Sequence, residues 1–218
     1  VNISGIHCHI GSQITQIKPF ALMAKVLAQT ARKLLRYGLF LNYIDIGGGL
    51  GVNYKNETPP SPEKLANTVL PQIKNHCQTV IMEPGRYIVA ESGVLVAKVL
   101  YRKPSTGKNF IIADAGMTDL IRPTLYGAYH EIIPVIRKGT PDKLPVDVVG
   151  PVCESGDFLG KNRQLPFLKA GDYIAVMNTG AYGFAMSSQY NSRPRAAEVL
   201  VDGKIWKIIR QRETYGNL

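Results

Sequence analysis

The chain has 218 residues, 45% of them hydrophobic and 19% charged, the balance of a soluble globular protein with room for one large domain or two small ones. No apolar run approaches the ~20 residues of a membrane-spanning helix, and neither a basic start nor an apolar helical core marks a signal peptide. The formal charge of +10 raises nucleic acid as a partner. However, Lys and Arg are scattered rather than clustered, as in proteins that handle small anionic molecules, so neither nucleic acid nor membrane is expected.

Cys8, Cys77 and Cys153 are an odd set without C-x-x-C spacing. They suit neither a disulfide framework nor a zinc site, and point to a reducing compartment such as the cytoplasm. The first residue is Val rather than Met, which suggests a processed or truncated chain.

Ile3 to Ile10 reads as a strand that places His7 and His9 on one face and ends at Gly11-Ser12. His9, beside a small hydroxyl, fits the edge of a site as well as it fits a structural role. Lys18 to Tyr37 reads as a helix, with Met23, Val26, Leu27, Ala31, Leu34 and Leu35 at helical spacing and Gly38 closing it. A short strand, Ile44–Ile46, runs into Gly47-Gly48-Gly49, so strand, helix and strand form a βαβ unit with parallel pairing. Alone, the glycine triplet reads as a surface turn. It can also fold its amides around an anion, phosphate being the usual guest. It is not the G-x-G-x-x-G fingerprint, because Val52 stands at the last glycine position.

Ser61 and Pro62 open a second helix carrying Leu65, Val69 and Ile73, which Pro71 is expected to kink or shorten. A third strand, Gln78 to Met82, ends in Glu83-Pro84-Gly85-Arg86. Three successive strand ends therefore carry polar or glycine-rich chemistry, and in parallel α/β folds sites gather at those ends.

Beyond residue 93 helical periodicity fades. Residues 94–101, 110–113, 146–149, 173–176, 198–201 and 204–209 read as strands. Pro104, Gly139, Pro141, Gly160, Gly171 and Gly203 punctuate the gaps, and Asp202-Gly203 reads as a hairpin turn. The expected division is an α/β segment over 1–93 and a mostly β domain, barrel or sandwich, over 94–218.

Six segments, taken together and in order, resemble the fold-type III pyridoxal-phosphate decarboxylases, and among them the branch that acts on meso-diaminopimelate. They are His7-Cys8-His9-Ile10-Gly11-Ser12, Asp45 to Gly51, Glu83-Pro84-Gly85-Arg86, Asp114-Ala115-Gly116-Met117, Gly150 to Ser155, and Asn178-Thr179-Gly180-Ala181-Tyr182. The resemblance implies a (β/α)₈ TIM-type barrel followed by a β domain, with residues 1–93 forming the last strands and helices of the pyridoxal 5′-phosphate-binding barrel. The family's Schiff-base lysine lies on an early barrel strand, and no segment here resembles that context. The chain is thus expected to be the C-terminal half to two-thirds of an enzyme, inactive alone. A barrel with three strands would leave sheet edges open, which is costly.

The resemblance also implies roles. Gly47, Gly48, Gly49 and Ser12 would hold the cofactor phosphate, with Gly85 and Arg86 nearby. His9 would stack on the pyridine ring and share in the chemistry. Glu83 would face the ring nitrogen, unless it only pairs with Arg86. Arg86 and Arg122 would clamp the phosphate and the substrate carboxylate, and Tyr126 would touch substrate unless it simply packs. Cys153 would return a proton to the α-carbon, Glu154 would hold the distal ammonium, and Tyr182 would touch cofactor and substrate. Outside this resemblance Cys153 would read as a buried small hydrophobe; Cys8 and Cys77 read as structural. The Cys153 loop implies a homodimer with shared sites, and no metal is expected. The implied activity is decarboxylation of meso-diaminopimelate to L-lysine. Alternatives are a sister enzyme for arginine, ornithine or carboxynorspermidine, or a non-catalytic barrel protein.

Overall fold

In a computed structural model, residues 3–136 and 142–218 are described. The chain forms two compact units, Val1–Ala90 and Glu91–Leu218.

The first unit contains β1 (Gly5–His7), α1 (Ile17–Arg36), β2 (Leu41–Asp45), α2 (Pro62–Ile73), β3 (Cys77–Ile81) and the short α3 (Gly85–Val89). Its sheet has the order β1-β2-β3, with all neighbours parallel. The register pairs His7 with Asp45 and Asp45 with Ile81, so the three strands stop level with one another. Parallel direction and common length thus bring three C-terminal ends to one edge.

α1 forms because Phe20, Met23, Ala24, Leu27, Ala28 and Ala31 make a buried stripe at helical spacing. Val26 and Leu35, read from the sequence as part of that stripe, are instead 49% and 47% exposed. The stripe is built partly from alanines, which let the helix lie close, and both larger residues fall outside it. Gly38, at φ +76°, follows the last turn. In α2 the Ser61 hydroxyl accepts the Lys64 N–H at 3.2 Å. Leu65, Val69 and Ile73 are fully buried, and the helix tightens after Pro71 into a 3₁₀ turn at Lys74–His76.

The second unit contains β4 (Leu95–Ser105), β5 (Lys108–Ala113), α4 (Arg122–Tyr126), β6 (Ile132–Pro134), β7 (Lys143–Val149), β8 (Phe158–Pro166), β9 (Tyr173–Val176), β10 (Glu198–Asp202) and β11 (Ile205–Arg210). Six strands form one sheet in the order β6-β9-β4-β5-β7-β8, antiparallel except for β5 with β7. β6 also lies against β8, so the sheet curls into a nearly closed barrel around Val99, Ile111, Val148, Leu159 and Ile174. β10 and β11 form a separate hairpin.

Several sequence expectations are corrected. β6 and β8 were not foreseen: one has three residues, and the other carries Gly160, Lys161, Asn162 and Arg163 in mid-strand. Gly160 lies inside β8, where a Cβ would collide with the Arg163 side chain. Pro104 pairs with Asn109 inside the β4–β5 hairpin, and the turn is Thr106-Gly107, with Gly107 at φ +77°. The last hairpin turns at Gly203-Lys204, with Asp202 still paired. Gly139 and Pro141 lie outside the described residues.

Near the C-terminus Arg195 binds Glu213 with two side-chain contacts, at 2.8 and 2.6 Å, and donates its backbone N–H at 2.8 Å. The Arg195 side chain first, then that backbone N–H, draws the Glu213 carboxyl down from 4.5 to about 2. A depressed carboxylate contributes fully above its ordinary value and loses that contribution as pH falls through its folded one. The Arg195–Glu213 link is therefore expected to release between pH 4.5 and about 2. Carboxyl carbon NMR should place the Glu213 midpoint near 2 and return it toward 4.5 in Arg195→Ala; an unchanged midpoint contradicts the assignment. In the barrel, Ile174 is fully buried, and Ile174→Ala should cost about 2–5 kcal/mol in urea unfolding of the full-length protein.

Candidate functional site

The edge where β1, β2 and β3 end continues as hydrogen-bonded backbone. Cys8 N–H donates to Asp45 O at 3.0 Å, Ile46 N–H to Ile81 O at 3.0 Å, and Glu83 N–H to Gly47 O at 2.9 Å. These links pull the segments so close that no side chain fits at the glycine triplet. A Cβ on Gly48 would strike the Glu83 carbonyl oxygen, and one on Gly49 the Gly11 carbonyl oxygen. One on Gly47 would lie 2.9 Å from His9 Cα. Gly47 and Gly49 also have φ of +64° and +102°.

The sequence suggested three amides available to an anion. The structure gives a narrower result. Asp45 Oδ1 accepts the Gly47 N–H at 2.8 Å, and His9 Nδ1 accepts the Gly48 N–H at 3.2 Å. Gly49 N–H has no acceptor among the described residues. His9 lies two residues past β1 rather than within a strand. With Nδ1 accepting, its ring proton belongs on Nε2.

Ser12 and Arg86 meet directly, the guanidinium reaching the Ser12 hydroxyl at 3.0 and 3.3 Å. Its remaining arm donates to Tyr54 Oη at 2.9 Å. Tyr54 was missed because its loop has no periodic pattern; three successive N–H groups, of Tyr54, Lys55 and Asn56, donate to Glu57 Oε2 and shape that loop. Glu83 lies 3.5 Å from His7 Nε2, while Arg86 is directed to Ser12 and Tyr54. Ligand atoms of His7, Asp45 and Glu83 lie within 4.8 Å of one another.

These residues fit a phosphate-bearing cofactor. Backbone without side chains, one uncommitted amide, a hydroxyl and a guanidinium gather at the level ends of parallel strands.

The second unit holds the other expected site residues. Arg122 and Tyr126 occupy the one-turn helix α4. Arg122 is 6% exposed, and its Nη1 lies 2.7 Å from His130 Nε2. His130 is fully buried, with Nδ1 2.8 Å from the Met177 carbonyl oxygen. A carbonyl only accepts, so Nδ1 carries the proton and Nε2 accepts from Arg122. One arm of that expected clamp is thereby committed inside the protein. Tyr126 is 64% exposed, so the two residues do not share surroundings.

Cys153 and Glu154 lie exposed on the loop between β7 and β8, and Glu154 Oε1 accepts the Gly156 N–H at 3.3 Å. Cys8 and Cys77, by contrast, pack against the core of the first unit. Burial pushes the Cys77 thiol up. Tyr182 has φ +60°, a conformation that bulky residues rarely adopt and that tends to mark functional positions.

Residues 20–180 match the family model described as pyridoxal-dependent decarboxylase, C-terminal sheet domain. The chain belongs to the pyridoxal-dependent decarboxylases. The curled sheet is the sheet domain of this decarboxylase family. Proteins named diaminopimelate decarboxylase from Aquifex aeolicus and Haemophilus influenzae are 49% and 50% identical over 99% and 100% of the chain. The chain covers 51% and 52% of those two proteins, so it spans about half the length of the curated relatives it matches. Among solved structures, diaminopimelate decarboxylase from Helicobacter pylori complexed with L-lysine superimposes with a TM-score of 0.93 at 43% identity, covering 98% of this chain and 53% of that one. Lysine/ornithine decarboxylase from Vibrio vulnificus complexed with cadaverine gives 0.78 at 26% identity, covering 90% and 53%.

The close approach at Gly48 has a measurable consequence. Gly48→Ala in the full-length protein should lower unfolding free energy by about 1–3 kcal/mol, since the methyl meets backbone that cannot rotate away. Gly85→Ala, where the Cβ would meet nothing within 4 Å, should change it by less than about 0.5 kcal/mol. Equal stability of the two variants in urea would contradict the geometry.

Proposed function

We propose that this chain is the C-terminal portion of a pyridoxal 5′-phosphate-dependent diaminopimelate decarboxylase, which releases CO₂ from the D-configured centre of meso-2,6-diaminopimelate and yields L-lysine. The first unit then contributes the last strands and helices of a (β/α)₈ barrel, with the β domain following it. The observation that carries this reading is 49–50% identity along nearly the whole chain to proteins of that name. Likeness to a lysine/ornithine decarboxylase structure is weaker, at 26%. The spare Gly49 amide and the linked Ser12 and Arg86 support it from the side of the chemistry.

In this reading Gly49 N–H, Ser12 and Arg86 would hold the cofactor phosphate, with Gly47 and Gly48 shaping the loop and Gly85, beside Arg86, facing open space on the cofactor side. His9, oriented by Gly48, would stack on the pyridine ring. Glu83, beside His7, keeps the ring nitrogen protonated. When bound, the cofactor supplies a sink for the electron pair left as CO₂ departs. Arg122 and Tyr126 bind substrate, Tyr182 touches cofactor and substrate, and Glu154 holds the distal ammonium. The Cys153 thiol returns a proton to the α-carbon. A homodimer in the cytoplasm, with sites at the subunit interface, completes the proposal.

The test uses the full-length protein. CO₂ release should be fastest with diaminopimelate and slow with arginine or ornithine; preference for ornithine would move the protein to the sister group. Cys153→Ala should lower turnover roughly a hundredfold, the size typical of a lost proton donor. Unchanged turnover would remove Cys153 from the mechanism.

A further inference from the structure

Asp157 is 4% exposed, and no cationic side chain bonds its carboxylate among the described residues. Backbone amides compensate it instead. Oδ1 accepts the Met117 N–H at 2.7 Å, and Oδ2 accepts the Val152 N–H at 2.6 Å. Its own backbone closes the loop that Val152 opens: Gly150 N–H donates to Asp157 O at 3.1 Å, and Asp157 N–H donates to Glu154 O at 3.0 Å. Cys153 and Glu154 stand exposed inside this ring of bonds.

The surroundings leave the carboxylate no freedom. A Cβ on Gly116 or on Gly150 would collide with Asp157 Oδ1. Those glycines belong to two segments far apart in sequence, and Asp157 ties the segments together. Thr124 adds one further tether, its hydroxyl donating to Gly156 O. Two charge-assisted bonds to amides 35 residues apart are a stronger fixing than a surface loop needs for its own sake.

We infer that Asp157 is the positioning residue for Cys153 and Glu154, holding the backbone of their loop in working geometry; this rests on the roles proposed for those two residues. Asp157 touches neither substrate nor cofactor. It acts by removing the loop's alternative conformations.

The test is Asp157→Asn in the full-length holoenzyme. Asparagine keeps the shape but turns an N–H toward a backbone N–H. The expected result is turnover lowered about a hundredfold and a raised KM for diaminopimelate, the effect of roughly 1 Å of misplacement. Cofactor absorbance stays as in the wild type, and hydrogen exchange at the Met117 and Val152 amides accelerates. Asp157→Ser, which keeps one short acceptor and no opposed N–H, is read the same way if the asparagine variant does not fold. Faster exchange at both amides with unchanged kcat and KM would make Asp157 a structural joint only and overturn the inference. Loss of turnover in Cys153→Ala with full turnover in Asp157→Asn overturns the positioning role alone. Full turnover in both overturns the reading of the loop as well.

Discussion

The contact of Gly48 with the Glu83 carbonyl is the constraint on which the first unit depends. Because no side chain fits there, the segments after β1, β2 and β3 can lie backbone against backbone. The strands are parallel and stop level, so this meeting occurs at the edge where such folds place their chemistry. Two of the three glycine amides then hold the edge together through Asp45 and His9, and the third has no acceptor among the described residues. A loop that spent all three on an anion would leave His9 without the bond that orients it.

The second unit divides labour in another way. Buried polar groups fix backbone, and exposed ones face solvent. Asp157 and the Arg122–His130–Met177 chain are inside, with Asp157 bonded to two backbone amides and His130 set between a guanidinium and a carbonyl. Cys153, Glu154 and Tyr126 are outside, carried by loops or a single helical turn. A curled sheet with a continuous apolar core gives those loops a stiff base.

Much of the first unit could be read in advance. The helix stripe, the Ser61 cap and the three strand ends each have a local signal, and parallel pairing follows from their alternation. What escaped was whatever depends on distant partners. β8 shifts register against β7 and holds Asn162 at φ +53° in mid-strand, so alternation fails there. The commitment of Gly47 and Gly48 amides depends on where Asp45 and His9 point, which spacing does not encode. The clamp role of Arg122 comes from the resemblance alone; that it is buried, with the fully buried His130 eight residues on taking one arm, has no signal in the spacing. Tyr54 and Asp157 are single polar residues in irregular stretches. For Asp157 a signal did exist, since Gly116 and Gly150 stand in the two segments it joins.

The central claim is that the glycine-lined strand ends hold pyridoxal 5′-phosphate. It is tested most directly by titrating the cofactor into full-length protein and following absorbance, with wild type and Gly48→Ala side by side. The account predicts a saturable protein-bound band, distinct from free cofactor, in the wild type, and greatly weakened binding in the variant. Binding of equal strength in both, or no band in the wild type, would contradict it.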